Sequence, residues 1–145
     1  MKLKIEMFDE CKETEVNIKC KELDNTLKKA VDILKQSDKT FAVRKDNSTK
    51  ILKIEDICYF ESVDEQTFVY TQEDVYSCQK KLYEAEEILS DTSFVRISKS
   101  CILNIDYLES VRALLNGKLE GTLSNDERVI INRHYVPAFK KKFGV

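Results

Sequence analysis

Among 145 residues there are three glycines, one proline, one histidine and no tryptophan. Each scarcity excludes something. Glycines at 117, 121 and 144 cannot form a glycine-rich phosphate loop, which needs several close together so that backbone can approach the phosphates. With Pro137 the only proline, no Pro/Gly-rich linker or low-complexity tract divides the chain. His134 stands alone, which rules out a two-histidine metal site within one chain. Ser98 and Ser100 lack the G-x-S-x-G surroundings of a hydrolase nucleophile. The five cysteines, Cys11, Cys20, Cys58, Cys78 and Cys101, include no C-x-x-C pair. An odd number at wide spacing fits reduced, buried thiols rather than a disulfide framework or a zinc finger. No apolar run nears the ~20 residues that cross a bilayer, and the start, MKLKIEMFDE, lacks the continuous apolar stretch of a signal peptide. These absences predict a cytoplasmic protein that is not an enzyme, with no cofactor, no metal, no small-molecule substrate and no membrane partner.

What is present is a core and an uneven charge. Hydrophobic residues make up 42% and charged residues 34%, enough for one packed domain plus a short extension at this length. The net charge of −2 hides a division. Residues 41–93 carry six basic and twelve acidic groups, a balance of −6, whereas residues 94–145 carry nine basic and five acidic groups, a balance of +4. A basic half on an acidic chain offers a local positive face.

Hydrophobic spacing divides the chain at about residue 40. KLKIEMF (2–8) and TEVNIKC (14–20) alternate as half-buried strands do, and Leu23, Leu27, Ala30, Val31 and Leu34 recur at helical spacing between 22 and 36. This β-β-α extension, 1–40, is too small to bury a core; it predicts a homodimerisation element. From Phe41 on, short alternating runs separated by polar turns read as strands at 41–45, 50–54, 57–63, 67–72, 75–79, 94–98, 108–115, 118–123 and 128–132. Asn116-Gly117 predicts a type I′ hairpin turn. Helices are expected at 82–89, with Leu82, Ala85 and Leu89 on one face, and at 133–143, with Val136, Phe139 and Phe143 on one face and Pro137 in the first turn. The fold class expected is mainly β with few helices.

Two clusters in the basic half carry hydrogen-bond donors on apolar anchors. In FVRISKSCILN (94–104), Phe94, Val95, Ile97, Ile102 and Leu103 fix a loop that displays Arg96, Ser98, Lys99 and Ser100. Arg and Lys suit phosphates and guanine edges, and Ser hydroxyls suit phosphate oxygens. In INRHY (131–135), Arg133 falls where the last strand gives way to the terminal helix, so two elements hold its backbone.

From Phe41 to Val145 the chain resembles the LytTR-type DNA-binding domain of bacterial regulators. The resemblance rests on I-x-D-I-x-Y-F-E-S at 54–62, LYEAEEIL at 82–89, FVRISKSCILN at 94–104, the meander through Asn116-Gly117 and INRHYVPAFKKKFG at 131–144, in order and at the expected separations. It implies an antiparallel β array that reads double-stranded DNA from loops. The positions it marks are Gln66 and Thr67, Ser98 to Ser100, and Arg133. This sequence departs from the pattern in carrying Asn132-Arg133 where the family usually has Ser-Arg, and in placing Asp64 and Glu65 in the first loop. Forty residues before Phe41 are too few for the receiver domain of many relatives, so the chain reads as a stand-alone transcription regulator, 41–145 binding DNA as a homodimer. The rival from another class is an interaction module of the same fold that modulates a partner regulator through its acidic face.

Overall fold

Alternating runs joined by polar turns favour an antiparallel meander, and the computed structural model, which describes residues 1–145, contains one. In chain order the elements are α1 (Asn25–Gln36), β1 (Thr40–Lys45), β2 (Ser48–Lys53), β3 (Ile57–Val63), β4 (Gln66–Thr71), β5 (Val75–Cys78), α2 (Leu82–Ile88), β6 (Phe94–Ser98), β7 (Cys101–Asn104), β8 (Leu108–Ala113), β9 (Leu119–Leu123), β10 (Arg128–Ile131) and α3 (Val136–Phe143). β1 to β7 form one sheet in the order β2-β1-β5-β4-β3-β7-β6, and β8 to β10 form a second, β10-β9-β8. All pairings are antiparallel. The fold is mainly β with three helices.

Neighbouring residues of a strand point to opposite faces, and this divides the core in two. Phe94 and Ile102 pack with Phe60, Leu82, Ala85 and Leu89, so α2 covers one face of the large sheet. Their neighbours Val95 and Leu103 pack with Leu119, Leu123, Ile131 and Phe139, so the small sheet and α3 cover part of the other. A bulge in β6 between Arg96 and Ser98 keeps Ile97 on the same side as Val95. Pro137 lies in the first turn of α3, where its missing N–H has no helical partner to lose. Buried Asn104 ties the layers together: its side chain donates to Ile57 O (2.9 Å) and accepts from Asp106 N (3.0 Å) and the Ser93 hydroxyl (2.8 Å). Ser93 Oγ also stands 3.3 Å from Gln36 Oε1, which anchors the end of α1.

The structure departs from the sequence expectations in four places. Residues 2–8 and 14–20 are extended but form no strands, because their backbone has no ladder partner within the chain; the expected β-β-α extension is α1 preceded by an unpaired segment. Two-residue hairpin turns with both central φ positive fall at Asp46-Asn47 (51° and 66°) and Asp64-Glu65 (50° and 65°). At the expected site only Gly117 has positive φ (76°), and the β8–β9 loop closes by Leu114 N donating to Lys118 O (2.9 Å), so it is not a type I′ turn. Cys101–Asn104, expected as part of a loop, is the strand β7. Cys58 and Cys78 are buried as expected, but Cys11 and Cys20 are exposed.

Candidate nucleic-acid interface

Three chain reversals meet at one end of the large sheet, and two backbone hydrogen bonds show how. β3 lies between β4 and β7, and Ser62 N near its end donates to Ser100 O (2.8 Å). This sets the β3–β4 turn beside the β6–β7 turn. On the far side of β6, Asn132 N donates to Ile97 O (2.9 Å), which pins the β10–α3 junction next to the same turn. Gln66, Lys99, Ser100 and Arg133 are all exposed there.

The β6–β7 turn is shaped from within. Ser100 N donates to Ser98 Oγ (3.2 Å), and the two serine hydroxyls lie 3.4 Å apart. Arg96 holds the turn from below: Nε donates to Ser98 O (2.7 Å), one terminal nitrogen to Lys99 O, and the other to Glu86 Oε2 of α2 (3.1 Å). Its side chain is 20% exposed. All three guanidinium nitrogens are engaged, so Arg96 supports the loop, and Lys99 is the cation that projects from it. The bulge in β6 supplies the irregularity that lets the Arg96 fork face two successive carbonyls.

Arg133 begins a single 3-10 turn, Arg133–Tyr135, between β10 and α3. An ideal Cβ on Gly117 would fall 2.8 Å from Arg133 Cδ and 3.1 Å from its Cγ. The aliphatic stem of Arg133 therefore lies across the bare backbone of the β8–β9 loop, and glycine is required there for space as well as for positive φ. This close approach limits the directions in which the guanidinium can point.

Thr67, marked with Gln66, is only 2% exposed, and its side chain faces the core beside Cys78 of β5. The alternation of β4 offers Gln66 and withdraws Thr67. Beside Gln66 the structure adds cations that sequence order separates: Arg44, Lys45, Lys80 and Lys81 line a polar depression of about 500 Å³ with Gln66. Lys81 Nζ donates to Glu65 O (3.1 Å), placing a cation against the acidic turn. The adjacent pair Lys80-Lys81 was the available signal, but it lies in the acidic half and pointed nowhere until β5 paired with β4.

Other groups are withdrawn from this surface. Lys142, in the basic run at the end of α3, is half-buried and donates to Ser90 O (3.1 Å) and Phe94 O (2.7 Å); burial lowers its pKa, partly offset by Asp32 and Asp91. Lys140 and Lys141 remain exposed. Burial pushes the Cys101 thiol, next to Ser100, up to about 12, with Glu61 adding to the shift, and Cys58 up to about 11. Neither is a thiolate nucleophile near neutral pH. No helix is long and apolar enough to cross a membrane.

Comparison with known proteins agrees with this geometry. The family model described as the LytTr DNA-binding domain matches residues 47–144. An uncharacterised HTH-type transcriptional regulator of Staphylococcus aureus strain MSSA476 is 24% identical over 147 residues, covering 99% of both chains. The sensory transduction protein LytT of Enterococcus faecalis is 34% identical over 92 residues, 63% of this chain and 38% of that one. A solved LytTr DNA-binding domain from Bacillus cereus superposes with a TM-score of 0.69 at 23% identity, over 73% of this chain and 97% of that one.

Proposed function

The chain belongs to the LytTR family of DNA-binding domains, and from that premise we propose that it is a cytoplasmic transcription regulator that reads double-stranded DNA from loops and acts as a pair of copies, without a receiver domain. The observation that carries the reading is the convergence of Gln66, Lys99, Ser100 and Arg133 on one end of the sheet, joined by the Ser62–Ser100 and Asn132–Ile97 backbone hydrogen bonds. Its three helices are each separated by strands, so loops rather than a helix pair form the projecting surface.

In this reading Lys99, Ser100 and the cations beside Gln66 contact phosphates, which set affinity and register without sequence information. Arg133 reads bases, because a planar guanidinium pairs bidentately with guanine O6 and N7 in the major groove. Arg96 and Thr67 act from behind the surface, Arg96 by holding the turn that presents Lys99. Pairing of copies through residues 1–40 is supported by the stripe around Leu23, Leu27 and Leu34, which is exposed or only partly covered. Two linked copies suit repeated half-sites.

Arg133→Lys tests the reading, since lysine keeps the charge and loses the planar fork. Affinity for the operator in the chain's own upstream DNA should fall by about 1–3 kcal/mol, while affinity for scrambled DNA at the same salt moves much less. Equal losses on both DNAs would make Arg133 a phosphate contact. Wild-type chain that binds neither DNA would favour the interaction-module rival.

A further inference from the structure

We infer that residues 13–21 recognise a second copy of this chain by pairing antiparallel with the same segment, about a two-fold axis through Asn17. The inference rests on the paired-copy reading above and adds the surface and register of the contact.

The segment is built as a strand and lacks a partner. Residues 14–20 are extended, and no backbone group from Lys12 to Leu23 forms a backbone–backbone hydrogen bond. Asn17 Nδ2 donates to Glu15 Oε1 at 3.1 Å. That contact between residues two apart places them on one face, as strand geometry requires. Odd positions on that face are Glu13, Glu15, Asn17, Lys19 and Lys21, whereas the even positions are Thr14, Val16, Ile18 and Cys20. Val16 is 55% and Ile18 41% exposed.

The order of charge selects the partner. Read against itself in the opposite direction, ETEVNIKCK sets Glu13 across from Lys21, Glu15 from Lys19 and Val16 from Ile18, with Asn17 facing Asn17 on the axis. The two-fold repeats each charged pair, so four Glu–Lys pairs line one face of the ribbon while the small apolar residues share the other. Parallel pairing in register would instead place Glu against Glu and Lys against Lys, which destabilises a ladder. A sequence complementary to itself under a two-fold forms a closed, isologous contact.

The area is sufficient. The chain exposes 10921 Å², whereas a compact monomer of its mass would expose about 7,700 Å². The excess, on the order of 3,000 Å², exceeds the ~800 Å² that each partner loses in a standard interface. The unpaired segment and α1 supply the exposed apolar side chains, among them Leu3, Ile5, Met7, Ile18 and Ile33.

Charge reversal in the full-length chain tests the register. Glu13→Lys with Glu15→Lys makes the odd face wholly basic apart from Asn17; Lys19→Glu with Lys21→Glu makes it wholly acidic. Sedimentation of each alone should show self-association weakened about tenfold or more. An equimolar mixture should recover it as a mixed dimer, and the variant carrying all four changes should recover it unaided. Double variants that associate like wild type would overturn the ladder and move the contact elsewhere, leaving the paired-copy reading intact. Weakened variants that neither the mixture nor the fourfold change rescues would also overturn it. A wild-type chain that stays monomeric at high micromolar concentration would overturn both.

Discussion

Residues 14–20 and residues 94–98 share a pattern: TEVNIKC and FVRIS both alternate apolar with polar side chains. One is an unpaired segment and the other is β6, held by β7 at its edge of the large sheet and by α3 on its face. Alternation makes a segment fit to be half of a ladder, and only a second strand makes it one. The same contrast extends to whole regions. From Thr40 onward two apolar clusters hold the chain, whereas residues 1–24 rest on nothing and α1 is held mainly at its C-terminal end, through Gln36. The stable body and the unpartnered segment therefore answer differently to the same kind of substitution.

The largest expected difference lies in the body. Phe139, fully buried between the small sheet and α3, should cost about 3–5 kcal/mol of unfolding free energy on change to alanine, by loss of transfer energy plus a cavity. Urea denaturation measures it; a loss below about 1 kcal/mol would mean that α3 is not an integral part of the core.

Asn104 probes the link between the two regions. Asn104→Ala leaves Ile57 O, Asp106 N and the Ser93 hydroxyl without their partner, and should lower stability by about 1–3 kcal/mol. It should also raise amide exchange in the last turn of α1, because Ser93 no longer has a fixed position beside Gln36. Unchanged exchange there would show that α1 is anchored by other contacts, such as Lys39 with Asp91 (2.6 Å).

The smallest effect is expected from Ile18→Ala. At concentrations low enough to keep the chain monomeric, unfolding of the body should change by no more than about 0.5 kcal/mol. At higher concentrations the same change should weaken self-association. A clear loss of monomer stability would break the comparison, because it would require the segment to pack on its own body.

Most strand positions are legible in the spacing of apolar residues alone. β1 to β6 and β8 to β10 follow the period-2 runs within a few residues, and α2 and α3 present the faces that Leu82, Ala85, Leu89, Phe139 and Phe143 define. β7 is hidden because its four residues, CILN, are too short and too continuously apolar to show alternation. The turn chemistry misleads in one place: Asn116-Gly117 has the composition of a two-residue hairpin, but Arg133 occupies the space beside Gly117 and the loop is wider. For the interface, the residue types are legible and their exposure is not. Gln66 and Thr67 are adjacent in sequence, yet the pleat exposes one and buries the other. Arg96 and Arg133 read alike as cations in a basic half, yet one spends its donors on the loop's own carbonyls and the other projects from the edge of that loop.

By itself the sequence determined the quantities that add along the chain: where apolar residues recur, which period they follow, and which half carries excess positive charge. Those settle the class of fold and the presence of two donor-rich segments, because hydrophobic periodicity acts locally and repeats regardless of what it packs against. Only the tertiary structure decided which donors face outward, that Lys80 and Lys81 stand beside Gln66, and that the alternating segment before α1 has no partner in its own chain. Those outcomes depend on pairings between residues far apart in sequence, and a strand's hydrogen bonds, unlike a helix's, are completed by another segment.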